Sequence, residues 1–182
     1  MTNNPKNKLE FFTKVEKMNT ELLTFTYGSL LVRLIKDFEK TEEINEQLEK
    51  MGYNIGIRLI DDFLAKAGNN PCQNFKETID VIAKLAFKMY LGVNCDALVY
   101  SDKEFGLIFS DNPLNDYVEL PEKYNSLWYS NMMCGIIRGA LESINIKVEC
   151  KFSKDMLKGN DTNEIRVKLI EITEEKFIDD EA

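Results

Sequence analysis

Histidine is missing altogether from the 182 residues, and cysteine, proline and tryptophan are sparse, at four, four and one. Without histidine the commonest general base, the Ser-His and Cys-His nucleophile pairs and imidazole metal ligands are all excluded. The cysteines, Cys72, Cys95, Cys134 and Cys150, include no close pair. That spacing fits neither a zinc site nor a small disulfide scaffold, and reduced thiols are expected. No run approaches the roughly 18 consecutive apolar residues of a membrane span. Met1 to Lys17 is polar and lysine-bearing, with no apolar signal core, no glycine at position 2, and no prenylation box in the closing Asp-Asp-Glu-Ala. A chain made and kept in the cytoplasm is the expectation. Positive charge is also short, 23 Lys and Arg against 31 Asp and Glu for a net of −8, which argues against a nucleic-acid partner. A local basic face remains compatible with that total.

What is present suits one globular domain: 44% hydrophobic and 30% charged residues over a length that buries a sizeable core. Residues 1–17 read as a flexible N-terminal arm, 18–172 as the domain and 173–182 as an acidic tail. A first helix is predicted from about Asn19 to Lys40, with Leu23, Tyr27, Leu30, Leu34 and Phe38 at helical spacing and Leu22, Leu31 and Ile35 widening the stripe. A second opens at Thr41 as a cap and carries Ile44, Leu48, Met51, Ile55, Leu59 and Phe63, with Gly68 as terminator. Gly52 and Gly56 inside it let another backbone approach. A loop through Asn69, Asn70, Pro71 and Cys72 leads to a third helix capped by Asn74, with Glu77 three residues on. From Ile79 to Leu91 this helix is apolar on most sides, which predicts a central position.

Short strands follow near Ala97–Ser101 and Phe105–Ser110, then a fourth helix from about Ser126 to Ser143 holding Gly135 and Gly139. Strict alternation from Ile144 to Phe152 and a last strand from Glu164 to Ile172 complete the order. Helices first, then a hairpin, a helix and another strand pair predict an α+β two-layer domain with helices packed on a four-stranded antiparallel sheet.

Few residues carry chemistry. Cys72 lies just before a helix N-terminus with Lys76 nearby, both of which favour a thiolate; an incidental loop cysteine is the commoner explanation of those local features. Cys134 and Cys150 fall in apolar patterns as small core residues, and Cys95 carries no signal. Asp61-Asp62 reads as a solvated helix face, and Lys84 and Lys88 as a solvated strip with a membrane-facing patch as the alternative. The Gly159 turn lacks the spacing and the Lys-Ser/Thr ending of a nucleotide loop.

The stretch Asp80-Val81-Ile82-Ala83-Lys84-Leu85-Ala86-Phe87-Lys88-Met89-Tyr90-Leu91-Gly92 resembles the small palmitoylated core subunit of the transport protein particle, the TRAPP vesicle-tethering complex. So do Lys50 to Gly56 with Arg58-Leu59-Ile60, Asn112-Pro113-Leu114 with Val118 to Pro121, Tyr129-Ser130-Asn131 with Gly135 to Glu142, Leu157-Lys158-Gly159, and Glu164-Ile165-Arg166. The similarity runs in uninterrupted order from about Met18 to Ile172.

That resemblance implies a noncatalytic subunit in ER-to-Golgi transport, contributing to nucleotide exchange on a Rab GTPase only as part of its assembly. It implies no cofactor or metal, but an S-linked palmitoyl chain at Cys72 inside an apolar channel. Ile79, Ile82, Ala83 and Ala86 are expected to line that channel, with Gly135 and Gly139, unless these small residues only let helices pack closely. Paralogous TRAPP subunits are the expected partners, in a heterodimer or in a homodimer of the chain alone. Leu23, Tyr27, Leu30, Leu34, Ile44, Leu48, Met51 and Ile55 on the first two helices are expected to face them. The implied location is cytoplasmic and peripheral to cis-Golgi and ER membranes. A self-contained lipid-carrying or thioester-handling protein acting through Cys72 is the alternative reading.

Overall fold

The computed structural model describes residues 18–67 and 72–173. The predicted arm, the predicted terminator Gly68 and the tail beyond Thr173 lie outside the described residues. Four strands, β1 (Asp96–Ser101), β2 (Glu104–Phe109), β3 (Ile146–Lys154) and β4 (Asn163–Ile172), form one antiparallel sheet in the order β1-β2-β4-β3. The period-two pattern sends Phe105, Leu107 and Phe109 of β2, Ile165 and Val167 of β4, and Val148, Cys150 and Phe152 of β3 into the core. Register keeps these layers together, with Phe105 opposite Val167 and Leu107 opposite Ile165. The predicted fold class is the observed one.

Helix α1 (Thr20–Asp37) starts where the Asn19 side chain accepts the Glu21 N–H at 2.8 Å. It buries Thr24, Tyr27 and Leu31. Thr24 donates to the Pro113 carbonyl at 2.6 Å and the Tyr27 hydroxyl donates to the Tyr129 carbonyl, pinning the helix to the loops after β2. Helix α2 (Thr41–Ala67) begins with Thr41 already helical, so Thr41 is not its cap; its hydroxyl pairs with that of Ser126.

Helix α3 (Phe75–Val81) is capped as predicted: Asn74 accepts the Glu77 N–H at 2.9 Å, and the Glu77 carboxylate accepts the Gln73 N–H at 2.7 Å. It passes without a break into a π-helical turn (Ile82–Ala86) and then α4 (Phe87–Tyr90). An α-helix advances about 100° per residue, so residues four apart drift round its surface by about 40° per step. The π-turn uses i→i+5 bonding and turns less per residue, which cancels part of that drift. Phe75, Ile79, Ala83 and Phe87 consequently stay buried in one row. The row packs on β2, with Phe75 edge-on to Phe105 at 5.4 Å between ring centroids and Phe87 against Phe109 at 5.1 Å.

Helix α5 (Met132–Glu142) starts six residues later than the sequence suggests. Asn45 of α2 takes up the polar groups of the preceding segment: its side chain accepts from Trp128 N–H at 2.9 Å and donates to the Ser126 carbonyl at 3.1 Å, while its own carbonyl accepts from Asn131 at 2.9 Å. Those tertiary bonds hold the segment in turns. Where α5 crosses α2, four glycines interlock. A methyl group on Gly52 or Gly56 would lie 2.0 or 2.2 Å from the carbonyl oxygens of Met132 and Ile136; on Gly135 or Gly139 it would lie 2.0 or 2.3 Å from those of Glu49 and Tyr53. The crossing is sealed at its edge by Arg138, which pairs with Glu49 at 3.2 Å and stacks 5.0 Å over the Tyr53 ring.

Candidate functional site

The four cysteines fall into two environments. Cys95, Cys134 and Cys150 are buried, and burial pushes the Cys95 thiol up to about 12 and raises the other two as well. Such thiols stay protonated and inert at neutral pH. Cys72 is half-exposed, two residues ahead of the Asn74 cap, so it is the one cysteine a reagent in solution can reach.

Behind Cys72 runs the buried row of α3. Two of the four predicted lining residues on this helix, Ile79 and Ala83, belong to that row and are fully enclosed; Ile82 and Ala86 flank it, half-buried, at the two ends of the π-turn. Ala83 is the smallest side chain in the row, and Phe87, backed by Phe109, is the next residue after it. Gly135 and Gly139 are corrected by the structure. The space above each is filled by the backbone of α2, so these glycines serve the α2–α5 crossing rather than a lipid-lining surface.

The partner-facing set also needs correction. Tyr27, Ile44 and Leu48 are buried within this domain, at 5%, 1% and 0% exposure, and are spent on its own core. Leu23, Leu30, Leu34 and Met51 are half-buried and packed against that core. Only Ile55 of the expected set is exposed, beside Ile57. The open apolar face lies on the opposite side of α1, where Leu22, Phe25 and Val32 are more than half exposed, as is Met18 just ahead of the helix. Phe25 stacks on Tyr117, which extends the patch onto the loop after β2. Tyr117 holds a left-handed backbone at φ 61°, uncommon for a non-glycine residue, and is 76% exposed. The spacing of Leu22, Phe25, Ser29 and Val32, in steps of three and four, was visible in the sequence, but it overlapped the inward stripe.

The acidic and basic candidates resolve into surface pairs. Asp62 accepts from Lys66 at 2.7 Å and from Tyr90 at 2.8 Å, and these two bonds, Lys66 first, hold its carboxyl below the usual range. Lys84 pairs with Asp80 at 3.9 Å and Lys88 bonds Asn94 at 3.2 Å. Gly159, at φ 83°, closes a short 3-10 turn (Met156–Lys158) that Asp155 caps. Among the described residues no helix is long and apolar enough to cross a membrane.

Comparison with known proteins follows the same lines. Residues 23–168 match the family described as transport protein particle (TRAPP) component. Trafficking protein particle complex subunit 3 of Dictyostelium discoideum is 54% identical over 166 residues, covering 90% of this chain and 89% of that protein. Transport protein particle subunit bet3 of Schizosaccharomyces pombe is 46% identical over 171 residues, covering 92% and 93%. A crystal structure of trafficking protein particle complex subunit 3 from Naegleria fowleri, covalently bound to palmitic acid, superposes with a TM-score of 0.84 at 51% identity, over 88% of this chain and all of that one.

Proposed function

This chain belongs to the transport protein particle (TRAPP) component family, and we propose that it serves a TRAPP assembly as a noncatalytic, S-acylated core subunit in ER-to-Golgi vesicle tethering. The observation that carries the lipid assignment is the contrast among the cysteines: three are buried and Cys72 is accessible. A relative at 51% identity holds a covalent palmitate, and a thiol is the side chain that forms a thioester with one. The Cys72 sulfur attacks the carbonyl of a long-chain acyl thioester such as acyl-coenzyme A. A new C–S bond forms at Cys72, the bond to coenzyme A breaks, and the proton leaves on the coenzyme A thiol.

The chain then lies along the α3 row, where Ile79, Ile82, Ala83 and Ala86 supply apolar contact. Burying about 15 carbons at roughly 0.8 kcal/mol each contributes on the order of 10 kcal/mol, an upper figure. That is comparable to the ~5–15 kcal/mol stability of a whole domain, so the acyl chain acts as a piece of core. Left exposed, a single chain gives only marginal, reversible membrane attachment.

The open face of α1 (Leu22, Phe25 and Val32, with Met18 just ahead of it) receives a paralogous subunit, an outcome supported by an apolar patch that stays exposed among the described residues. Exchange on a Rab GTPase, and residence at the periphery of cis-Golgi and ER membranes, are properties of the assembly in this reading. Intact mass of the protein from a eukaryotic host, before and after hydroxylamine treatment of the denatured chain, tests the lipid assignment. The expected result is an acyl mass increment that hydroxylamine removes and that Cys72→Ser lacks. An unmodified wild-type mass would overturn it; a chain readily handed to an acceptor thiol would favour a self-contained thioester-handling protein instead.

A further inference from the structure

We infer that residues 174–182, which lie outside the described residues, fold back as an acidic cover over the open face of the sheet, independently of any lipid on Cys72. The helices occupy the face that carries Phe105, Leu107, Val148 and Ile165. The other face is built by the alternate residues. Register sets Lys151 of β3 opposite Arg166 of β4, and Lys168 of β4 between Glu149 of β3 and Glu104 of β2. Together with Ser153 these side chains line a shallow groove of about 430 Å³. Arg166 is held by Glu104 at 3.2 Å and by the buried Glu164 at 3.4 Å, Lys154 by Glu164 at 3.3 Å, and Lys151 by Glu149. Lys168 joins no ion pair among the described residues. This face is therefore net positive on a chain whose net charge is −8.

Charge, order and length identify the occupant. Residues 174–182 read Glu-Glu-Lys-Phe-Ile-Asp-Asp-Glu-Ala, five carboxylates against one lysine, half of the chain's net charge. They leave β4 directly after Thr173, whose N–H donates to the Asn145 carbonyl at 2.9 Å. β4 has β2 and β3 on its two sides, so a segment turning back lies over the sheet rather than in it. Going back along β4 it meets Ile172 and Ile170 first, each 52% exposed, and then Lys168 and Arg166. The segment has the matching order, Phe177-Ile178 and then Asp179-Asp180-Glu181. Layers stack about 10 Å from a sheet and an extended chain advances ~3.3 Å per residue, so Glu174 to Lys176 make the climb. The residues that remain, 177–182, span about 20 Å, the length of β4 from Ile172 back to Arg166. Exposed ion pairs are individually weak. A tethered segment meets its site at a millimolar effective concentration, so weak contacts suffice. The consequence is competition: an acidic segment of another subunit gains the groove only by displacing the tail.

The test is zero-length carbodiimide coupling of the full-length protein, with the joined peptides identified by mass. Only carboxylates and lysine amines that touch are joined. Asp179, Asp180 or Glu181 is expected to couple to Lys168 or Lys151 within one chain, and far less to the exposed Lys84 and Lys88 on the helical side. Raising NaCl from about 0.05 M to about 1 M shortens the screening length to ~3 Å and should lower the yield about tenfold. Phe177→Ser with Ile178→Ser leaves every carboxylate in place and should lower the yield severalfold. None of these changes touches the core, so folding is not at stake. Tail couplings spread evenly over the exposed lysines, or a yield that salt leaves unmoved, would overturn the cover. Couplings found only between two chains would overturn it as well, and assign the groove to a second copy's tail.

Discussion

Helices α1 and α2 both carry broad apolar stripes in the sequence, yet the fold uses them in opposite ways. α2 spends its small residues inside the molecule, where Gly52 and Gly56 accept the α5 backbone and Gly135 and Gly139 accept that of α2 in return. α1 buries only the side bearing Tyr27 and Leu31 and leaves Leu22, Phe25 and Val32 open. Its own glycine, Gly28, is half-buried and tight against nothing: an added methyl would stand 3.4 Å from the Tyr129 hydroxyl. Apolar breadth in a helix therefore does not separate a core element from a docking element. What separates them is whether the neighbouring backbone arrives close enough to claim the small residues.

Substitutions break or sharpen this comparison. The largest effect is expected from Gly135→Ala, which puts a methyl 2.0 Å from the Glu49 carbonyl oxygen with only backbone to yield. Overpacking of this kind should cost about 3 kcal/mol in urea denaturation, at the upper end for such changes. On the other helix, Leu22→Glu with Phe25→Glu should leave the isolated chain's stability within about 0.5 kcal/mol per site, as surface changes do. Binding of a co-expressed paralogous subunit should weaken by more than about 30-fold, the scale of losing a central apolar anchor, as read by titration calorimetry. An unchanged affinity would remove α1's open face from partner recognition. Asn74→Ala removes the cap that fixes the start of α3 beside Cys72 and should cost about 1 kcal/mol. The smallest effect has the opposite sign: Gly28→Ala should stabilise by about 0.5 kcal/mol, since an alanine gains helix propensity where space allows. A loss there comparable to that at Gly135 would mean α1 is packed as closely as α2.

Much of this was legible from local pattern. The Asn74 cap, the alternation of β3, the four-strand sheet and the accessible position of Cys72 follow from turn chemistry and periodicity, which neighbours in sequence determine. Other features depend on groups brought together only by folding. The start of α5 was read too early because Asn45, on α2, holds Ser126–Asn131 in turns. Tyr27, Ile44 and Leu48 looked like partner residues because an inward and an outward stripe overlap on these helices. The π-turn left only a trace, a row spaced by fours that a pure α-helix would let drift. Glu164 alternates as an outward residue, yet it is fully buried under Tyr100, whose hydroxyl donates to it at 2.6 Å, and beside Lys154 at 3.3 Å. Gly135 and Gly139 were correctly small, but for a neighbouring helix rather than for a lipid.

The central claim is that the acyl chain on Cys72 belongs to the interior, while the outer face of α1 belongs to a partner. Thermal unfolding of acylated wild type beside Cys72→Ser from the same host, with intact mass confirming the lipid, tests it most directly. A chain that forms part of the core should raise the midpoint by more than about 5 °C, since each kcal/mol is worth about 2–4 °C at this size. Equal midpoints for the acylated and unacylated proteins would contradict the claim and place the chain outside the fold.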